Sequence, residues 1–125
     1  MLLLNFAHPL TDEQVSQVTH SIGEQPEVRL VQTQVSRAES ISDSATRLVD
    51  AAGITPDTWQ TDTFIINPPG LAPLALAVLA EIHGRCGYFP PALNIRPVAG
   101  AIPPRYEVAE VIDLQGLRDK ARTRR

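Results

Sequence analysis

The sequence has a single cysteine and no long apolar run, and both shortages exclude classes of protein. Cys86 stands alone, so the chain has no intrachain disulfide and no CxxC metal-binding or redox motif. The longest apolar run, residues 71–79, stays well below the ~20 residues that cross a membrane. The opening MLLLNF lacks a basic n-region and is too short for a signal peptide. We therefore expect a soluble cytoplasmic protein with no membrane partner.

The signatures of several enzyme classes are also missing. There is no GxGxxG dinucleotide fingerprint, no P-loop, and no GxSxG or Ser/Cys–His–Asp pattern. His20 and His83 have no second ligand at metal spacing, so no metal site is predicted. Glu107 and Glu110 have opposite parity on a predicted strand, so we expect them on opposite faces of the sheet. The sequence therefore predicts no catalytic set, no metal and no cofactor.

Charge is divided unevenly along the chain. Residues 1–117 carry 6 basic and 13 acidic side chains, whereas residues 118–125, RDKARTRR, carry 5 basic and 1 acidic. We interpret the tail as a frayed, solvated helix end whose cations complement the helix dipole. A nucleic-acid-binding module that uses this tail is an alternative. The acidic body argues against it, so no long nucleic acid is expected as a partner.

Strand and helix patterns alternate along a chain that has the length of one domain, here 1–125. Alternation of this kind favours a Rossmann-like α/β fold, a three-layer sandwich around a mainly parallel five-stranded sheet. The last two strands are joined only by AGAIPPR, which is too short for a crossover helix, so the last strand should be antiparallel. The predicted strands are 1–6, 28–35, 63–66, 92–98 and 106–114, and the predicted helices are 11–22, 40–52, 71–83 and one from 115, with a helical turn at 55–59.

Polar residues follow the predicted strands at the edge where open α/β sheets bind ligands. Strand one leads into residues 5–9, strand three into residues 67–70, and an antiparallel last strand begins near Arg105. In FIINPPG the two prolines cannot continue the ladder. The N–H groups of Gly70 and Leu71 are then expected at a helix N-terminus, which favours an anion. A rigid corner explains the same motif without a ligand, and both interpretations stay open.

The predicted helix 71–83 is apolar on nearly every side. Such a helix is normally buried all round, and a chain of 125 residues has limited means of burying one. A homodimer interface is therefore one hypothesis, and a central helix covered by its own chain is the other.

Four segments together resemble a known family: LLLNFAHPLT, FIINPPGLAP, HGRCGYFP and PPRYEVAEVIDLQGLRDKAR. They are similar to the small CRISPR-associated accessory proteins of the Csx series, the family numbered fifteen. The similarity covers most of the chain and is weakest in residues 24–60. It implies a CARF-like domain that binds cyclic tetra-adenylate, the second messenger of type III CRISPR systems, as a homodimer. It further implies little or no cleavage, sequestration of the messenger as by a sponge, and larger assemblies on ligand binding.

The resemblance also implies roles for named residues. It implies that Asn5, His8 and Asn67 bond adenine edges or ribose hydroxyls. The N–H groups of Gly70 and Leu71, at the corner made by Pro68 and Pro69, and the Arg105 guanidinium are expected to hold phosphates. Phe6 is a candidate for stacking on a base, with a core position as the alternative. A metal-independent ring nuclease that uses His8 as its base is the alternative function.

Overall fold

Five strands form one sheet in the computed structural model, which describes residues 1–125. Their spatial order is β2-β1-β3-β4-β5, the first four run parallel, and the fifth is antiparallel to the fourth. This arrangement confirms the predicted Rossmann-like α/β fold and the direction of the last strand. The strands are β1 (Leu2–Asn5), β2 (Glu27–Leu30), β3 (Phe64–Asn67), β4 (Ala92–Pro97) and β5 (Tyr106–Ile112).

Five helices surround the sheet, and local signals begin and end them. Thr11 and Gln14 make a capping box, and Gly23 ends the first helix in the left-handed region at φ 85°. Ser40 caps the second helix by accepting the Asp43 N–H at 3.1 Å. The helices are α1 (Asp12–Ile22), α2 (Ile41–Ala51), α3 (Pro56–Thr61), α4 (Ala72–Cys86) and α5 (Leu114–Arg122).

Strand β2 is shorter than the predicted strand 28–35. Its neighbour β1 ends at Asn5, whose carbonyl accepts the Val31 N–H at 2.8 Å as the last backbone bond between the two chain segments. Beyond that point there is no strand for residues 32–35 to pair with. Thr33 instead donates its hydroxyl to the Phe6 carbonyl at 2.6 Å, so alternation alone overestimated the strand.

The prediction that Glu107 and Glu110 lie on opposite faces is wrong. The ladder between β4 and β5 contains a bulge that leaves Ala109 without a partner, and an extra residue reverses the parity of a strand. Glu110 therefore pairs with Asn94, which donates to it at 3.1 Å, and Glu107 forms a salt bridge of 3.2 Å with Arg96. Since Asn94 and Arg96 share a face of β4, the two glutamates also share a face.

The two faces of the sheet are covered very differently. Helices α2, α3 and α4 cover one side, here called the three-helix face, with a cluster of 15 buried residues. Helix α1 covers the other side, the single-helix face, where Val18 packs in a cluster of 4 buried residues with Leu3, Ile65 and Leu93.

Two glutamines fasten α1 to the last strand. Gln14, which is 8% exposed, donates Nε2 to the Tyr106 carbonyl at 3.1 Å. Gln17 accepts the Val108 N–H at 2.7 Å. Gln14 also accepts the Thr11 N–H at 2.9 Å in the capping box. The start of α1 is thus tied to the start of β5.

Helix α4 is buried on one side only. Leu74, Val78 and Ile82 are fully buried, whereas Leu76 on the opposite side is 71% exposed. The idea that its own chain covers this helix is therefore wrong, and the homodimer interface stays a prediction. None of the helices combines the length and the hydrophobicity that a membrane crossing requires.

Candidate functional site

The corner after β3 leaves free backbone donors at the start of a helix. Pro68 and Pro69, joined by a trans peptide bond, end the ladder because neither has an N–H. Leu71 then caps α4 without a side-chain hydrogen bond. The N–H groups of Gly70 and Leu71 donate to no other group of the chain. These donors lie at the positive end of the helix dipole, where an anion is favoured.

A cavity of about 810 Å³ lies at the carboxyl edge of the parallel strands. The loop after β1 and the first turn of α1 form part of it, and the corner after β3, the middle of β4 and the start of β5 complete it. Its lining residues are 7–11, Glu13, Gln14, 67–70, 93–95 and 104–106.

Two asparagines face each other under this cavity. Asn5 and Asn67 are directly opposite in the parallel register of β1 and β3, and both are buried. Asn5 Oδ1 accepts the Ala7 N–H and Asn67 Nδ2, each at 3.0 Å. Asn5 Nδ2 donates to the His8 carbonyl at 2.8 Å. These bonds use both acceptor positions of the Asn5 oxygen and one of its two amide hydrogens. The Asn5 side chain therefore holds the loop after β1 in place and has one amide hydrogen left for a ligand.

The charged groups at the cavity are not neutralised within the chain. The exposed Arg105 guanidinium forms no salt bridge and no hydrogen bond, although its carbonyl accepts the Val98 N–H at 2.9 Å. The Glu13 carboxylate also lines the cavity without a partner. The exposed His8 imidazole makes no hydrogen bond within the chain, since only its carbonyl is held. A guanidinium without a carboxylate partner is well suited to bind a phosphate.

Six of the nine residues expected to bind a ligand line the cavity, and three do not. His8, 67–70 and Arg105 line it. Asn5 lies beneath it. Phe6 is 1% exposed in the cluster of the three-helix face, so its ring cannot stack on a ligand without leaving the core. Leu71 follows the lining residue Gly70 and is 48% exposed.

Other lining residues were not predicted. Gln14 and Glu13 belong to the first turn of the helix that follows β1, so topology alone was a sufficient signal for them. Leu93 and Asn94 had no such signal. They reach the cavity because β3 and β4 pair at Ile66 and Ala92, so β4 continues beyond the end of β3. The register of a parallel pair is not readable from the sequence.

The basic tail lies away from the cavity. Strand β5 begins at the cavity and runs antiparallel to β4, so α5 starts at the opposite edge of the sheet. This helix has no buried residue. The cations of residues 118–125 therefore contribute nothing to the site within one copy of the chain.

The cavity combines apolar walls with unpaired donors and one unpaired cation. No group of three or more His, Cys, Asp or Glu side chains converges on a metal position. The arrangement can accept an anion at Arg105 and Gly70 and an apolar ring beside Leu93 and Pro69. The chain was compared with protein-family models, curated proteins and solved structures, and none matched.

Proposed function

We propose that the cavity binds cyclic tetra-adenylate and that the protein, as a cytoplasmic homodimer, sequesters this messenger and so damps type III CRISPR signalling. One observation carries the proposal. A cavity of about 810 Å³ holds an unpaired arginine and faces an uncapped helix N-terminus, and most of its remaining surface is apolar although the Glu13 carboxylate also lines it. A nucleotide has the complementary division between charged phosphate and flat base.

The phosphate side of the match depends on Arg105 and on the corner after β3. A guanidinium makes two parallel hydrogen bonds to a phosphate, and both are strengthened by charge. The N–H groups of Gly70 and Leu71 add donors, and Gly70 has open space around its Cα. A phosphate can therefore approach this backbone closely.

The base side of the match depends on size and on apolar walls. The volume lies within the ~300–1,000 Å³ that small-molecule sites typically have. Leu93, Leu10 and the two prolines of the corner present apolar atoms there. Purine rings lose little on leaving water for such surroundings, whereas phosphates would lose much more.

The proposed dimer follows from the symmetry of the ligand. A two-fold pair of chains presents the same groups twice around a ring of four nucleotides. The exposed strip of α4 formed by Ala72, Leu76 and Ala80 is a candidate contact, because adjoining apolar side chains on a surface can mark an interaction site. The expected state in light scattering is a dimer at micromolar concentration, with larger assemblies after ligand is added.

Binding and cleavage are measured together by incubating the protein with cyclic tetra-adenylate. Native mass spectrometry should show intact ligand in stoichiometric amount. Arg105→Ala should weaken binding by roughly 10-fold or more, since a hydrogen bond to a charged group contributes about 1.5–3 kcal/mol. Arg96→Ala is the matched control, because Arg96 is exposed on the neighbouring strand but is already paired with Glu107 and does not line the cavity.

Two results contradict the proposal. If no nucleotide is recovered with the protein, this edge does not bind the messenger. If linear products appear over many turnovers and disappear in His8→Ala, the protein is the ring nuclease of the alternative hypothesis.

A further inference from the structure

We infer that Asn67 recognises the exocyclic amine of adenine, an inference that rests on the nucleotide binding proposed above. Asn5 is the positioning residue, because it fixes which way the Asn67 amide points. The oxygen and nitrogen of an asparagine amide are interchangeable by a half-turn of the side chain. A free asparagine therefore offers a ligand either an acceptor or a donor. In this chain the hydrogen bonds of Asn5 remove that freedom.

The direction of the Asn5 amide is determined from both of its ends. A backbone N–H only donates, so the side-chain atom of Asn5 that lies 3.0 Å from the Ala7 nitrogen must be its oxygen. A backbone carbonyl only accepts, so the atom 2.8 Å from the His8 oxygen must be the nitrogen of Asn5. Both contacts require the same orientation.

The direction of the Asn67 amide follows from that of Asn5. Asn5 Oδ1 lies 3.0 Å from one side-chain atom of Asn67, and only a donor is favourable there, so this atom is Nδ2. Asn67 Oδ1 is then left without a partner in the chain, on a residue that is 5% exposed and lines the cavity. This oxygen is open to the cavity, so water can bond to it in the free protein, whereas a ligand that covers it without donating a hydrogen bond leaves an acceptor unpaired at a cost in free energy. A ligand that donates a hydrogen bond at this point is favoured, and one that presents another acceptor is not.

Among the parts of a nucleotide, the amine of adenine fits this acceptor best. Phosphate oxygens only accept hydrogen bonds. Ribose hydroxyls are polar on most sides, whereas the surroundings of Asn67 include Leu93, which is 4% exposed, and the rings of Pro68 and Pro69. In adenine the amine, which donates, lies next to a ring nitrogen, which accepts. In Asn67 the amide oxygen, which accepts, lies next to the N–H that Asn5 leaves free, so the two groups can form a pair of hydrogen bonds. Hypoxanthine has the same shape but presents an oxygen where adenine has the amine.

The test compares cyclic tetra-adenylate with cyclic tetra-inosinate, which has the same ring and the same charge. Binding of each is measured by calorimetry with the full chain. We expect the inosinate to bind at least about 10-fold more weakly, since a correct pair of this kind contributes ~1–3 kcal/mol of discrimination. The wild-type comparison needs no variant, so it stands even where a substitution prevents folding.

Two substitutions of Asn5 test its positioning role. Asn5→Leu removes the acceptor that holds Asn67 Nδ2, so the Asn67 amide can turn and the adenylate-to-inosinate ratio should fall toward 1. Asn5→Asp is the matched control, because one carboxyl oxygen still accepts from Ala7 and Asn67, the other in its protonated form donates to the His8 carbonyl, and the ratio should persist. Loss of stability alone changes both affinities together and leaves the ratio unchanged. Thermal unfolding of both variants checks that the compared proteins are folded.

The outcomes separate this inference from the proposed function. Equal binding of the two rings by the wild type overturns recognition of the amine and leaves messenger binding intact. Binding of neither ring overturns both. If folded Asn5→Leu keeps the full ratio of adenylate to inosinate affinity, the positioning role of Asn5 is overturned.

Discussion

The two faces of the sheet divide stability and binding between them. The three-helix face buries 15 residues in one cluster, none of which lines the cavity, whereas the cluster of the single-helix face has 4, and Leu93 among them is part of the cavity wall. Free energy of folding is gained mainly where apolar surface is removed from water. The single-helix face buries less apolar surface and so contributes less free energy of folding, but it leaves room for a ligand. A small α/β protein can therefore hold a binding site without opening its main core.

The largest effect we predict comes from truncating neighbouring isoleucines that point to opposite faces. Ile65 and Ile66 are both buried, the first on the single-helix face and the second on the three-helix face. Ile66→Ala should lower the free energy of unfolding by about 4 kcal/mol and Ile65→Ala by about 2–3 kcal/mol, because α1 can settle into the space left by Ile65. Urea unfolding measures both. An equal or larger loss in Ile65→Ala would show that the two faces do not differ in this respect.

A smaller effect is expected where α1 is fastened to β5. Gln14→Ala removes the bond to the Tyr106 carbonyl and one half of the capping box. We expect a loss of about 1–2 kcal/mol and faster amide exchange in the first turn of α1. Ser16→Ala, at an exposed position of the same helix, should change stability by less than about 0.5 kcal/mol. If Gln14→Ala lowers the free energy of unfolding as little as Ser16→Ala does, α1 is held by its apolar face alone.

The smallest effect is a pH dependence confined to the three-helix face. Burial raises the pKa of the Cys86 thiol and of the Tyr88 phenol from their ordinary values of 9.0 and 10.0, and both side chains pack against the larger cluster. A raised pKa means that the folded chain keeps a proton that the unfolded chain has already lost. This contribution to stability is complete below pH 9 and is lost as the pH rises through the folded values.

Urea midpoints measured from about pH 8 to about pH 10.5 test this dependence. The midpoint should fall with rising pH in the wild type and stay flatter in the double variant Cys86→Ala, Tyr88→Phe. That variant has a lower midpoint throughout, since Tyr88 no longer accepts the Phe64 N–H at 3.1 Å. An equally steep decline in the double variant would assign the titration to other groups.

Much of the fold was predictable because its signals are local. The capping box at Thr11, the glycine stop at Gly23 and the short connection before β5 each depend on a few adjacent residues, and the structure contains all three. The lengths of strands were less predictable. Strand β2 stops where its neighbour stops, and the bulge at Ala109 is set by the pairing of β4 with β5. Pairing is a property of two segments, so neither segment reveals it alone.

The candidate site was predictable in place but not in detail. The rule that ligands bind at the carboxyl ends of parallel strands selected His8, Asn67 and Arg105, which line the cavity. It did not separate residues that face the cavity from those that support it. Asn5 ends β1 and Phe6 follows it directly, yet the Asn5 side chain holds the loop after β1 and the Phe6 ring lies in the core. That division depends on which way each side chain points, and hence on the complete packing.

The two glutamines of α1 also determine at which edge of the sheet a further strand can be added. The Tyr106 carbonyl and the Val108 N–H lie on the outer margin of β5, and Gln14 and Gln17 occupy them as the backbone of a sixth strand would. An added strand on that side must first displace both side chains. The outer edge of β2 has no such side chains bound to it, and Val28 and Leu30 on this strand are 38% and 47% exposed. Edge-to-edge pairing between molecules is therefore blocked on one side of the sheet and open on the other.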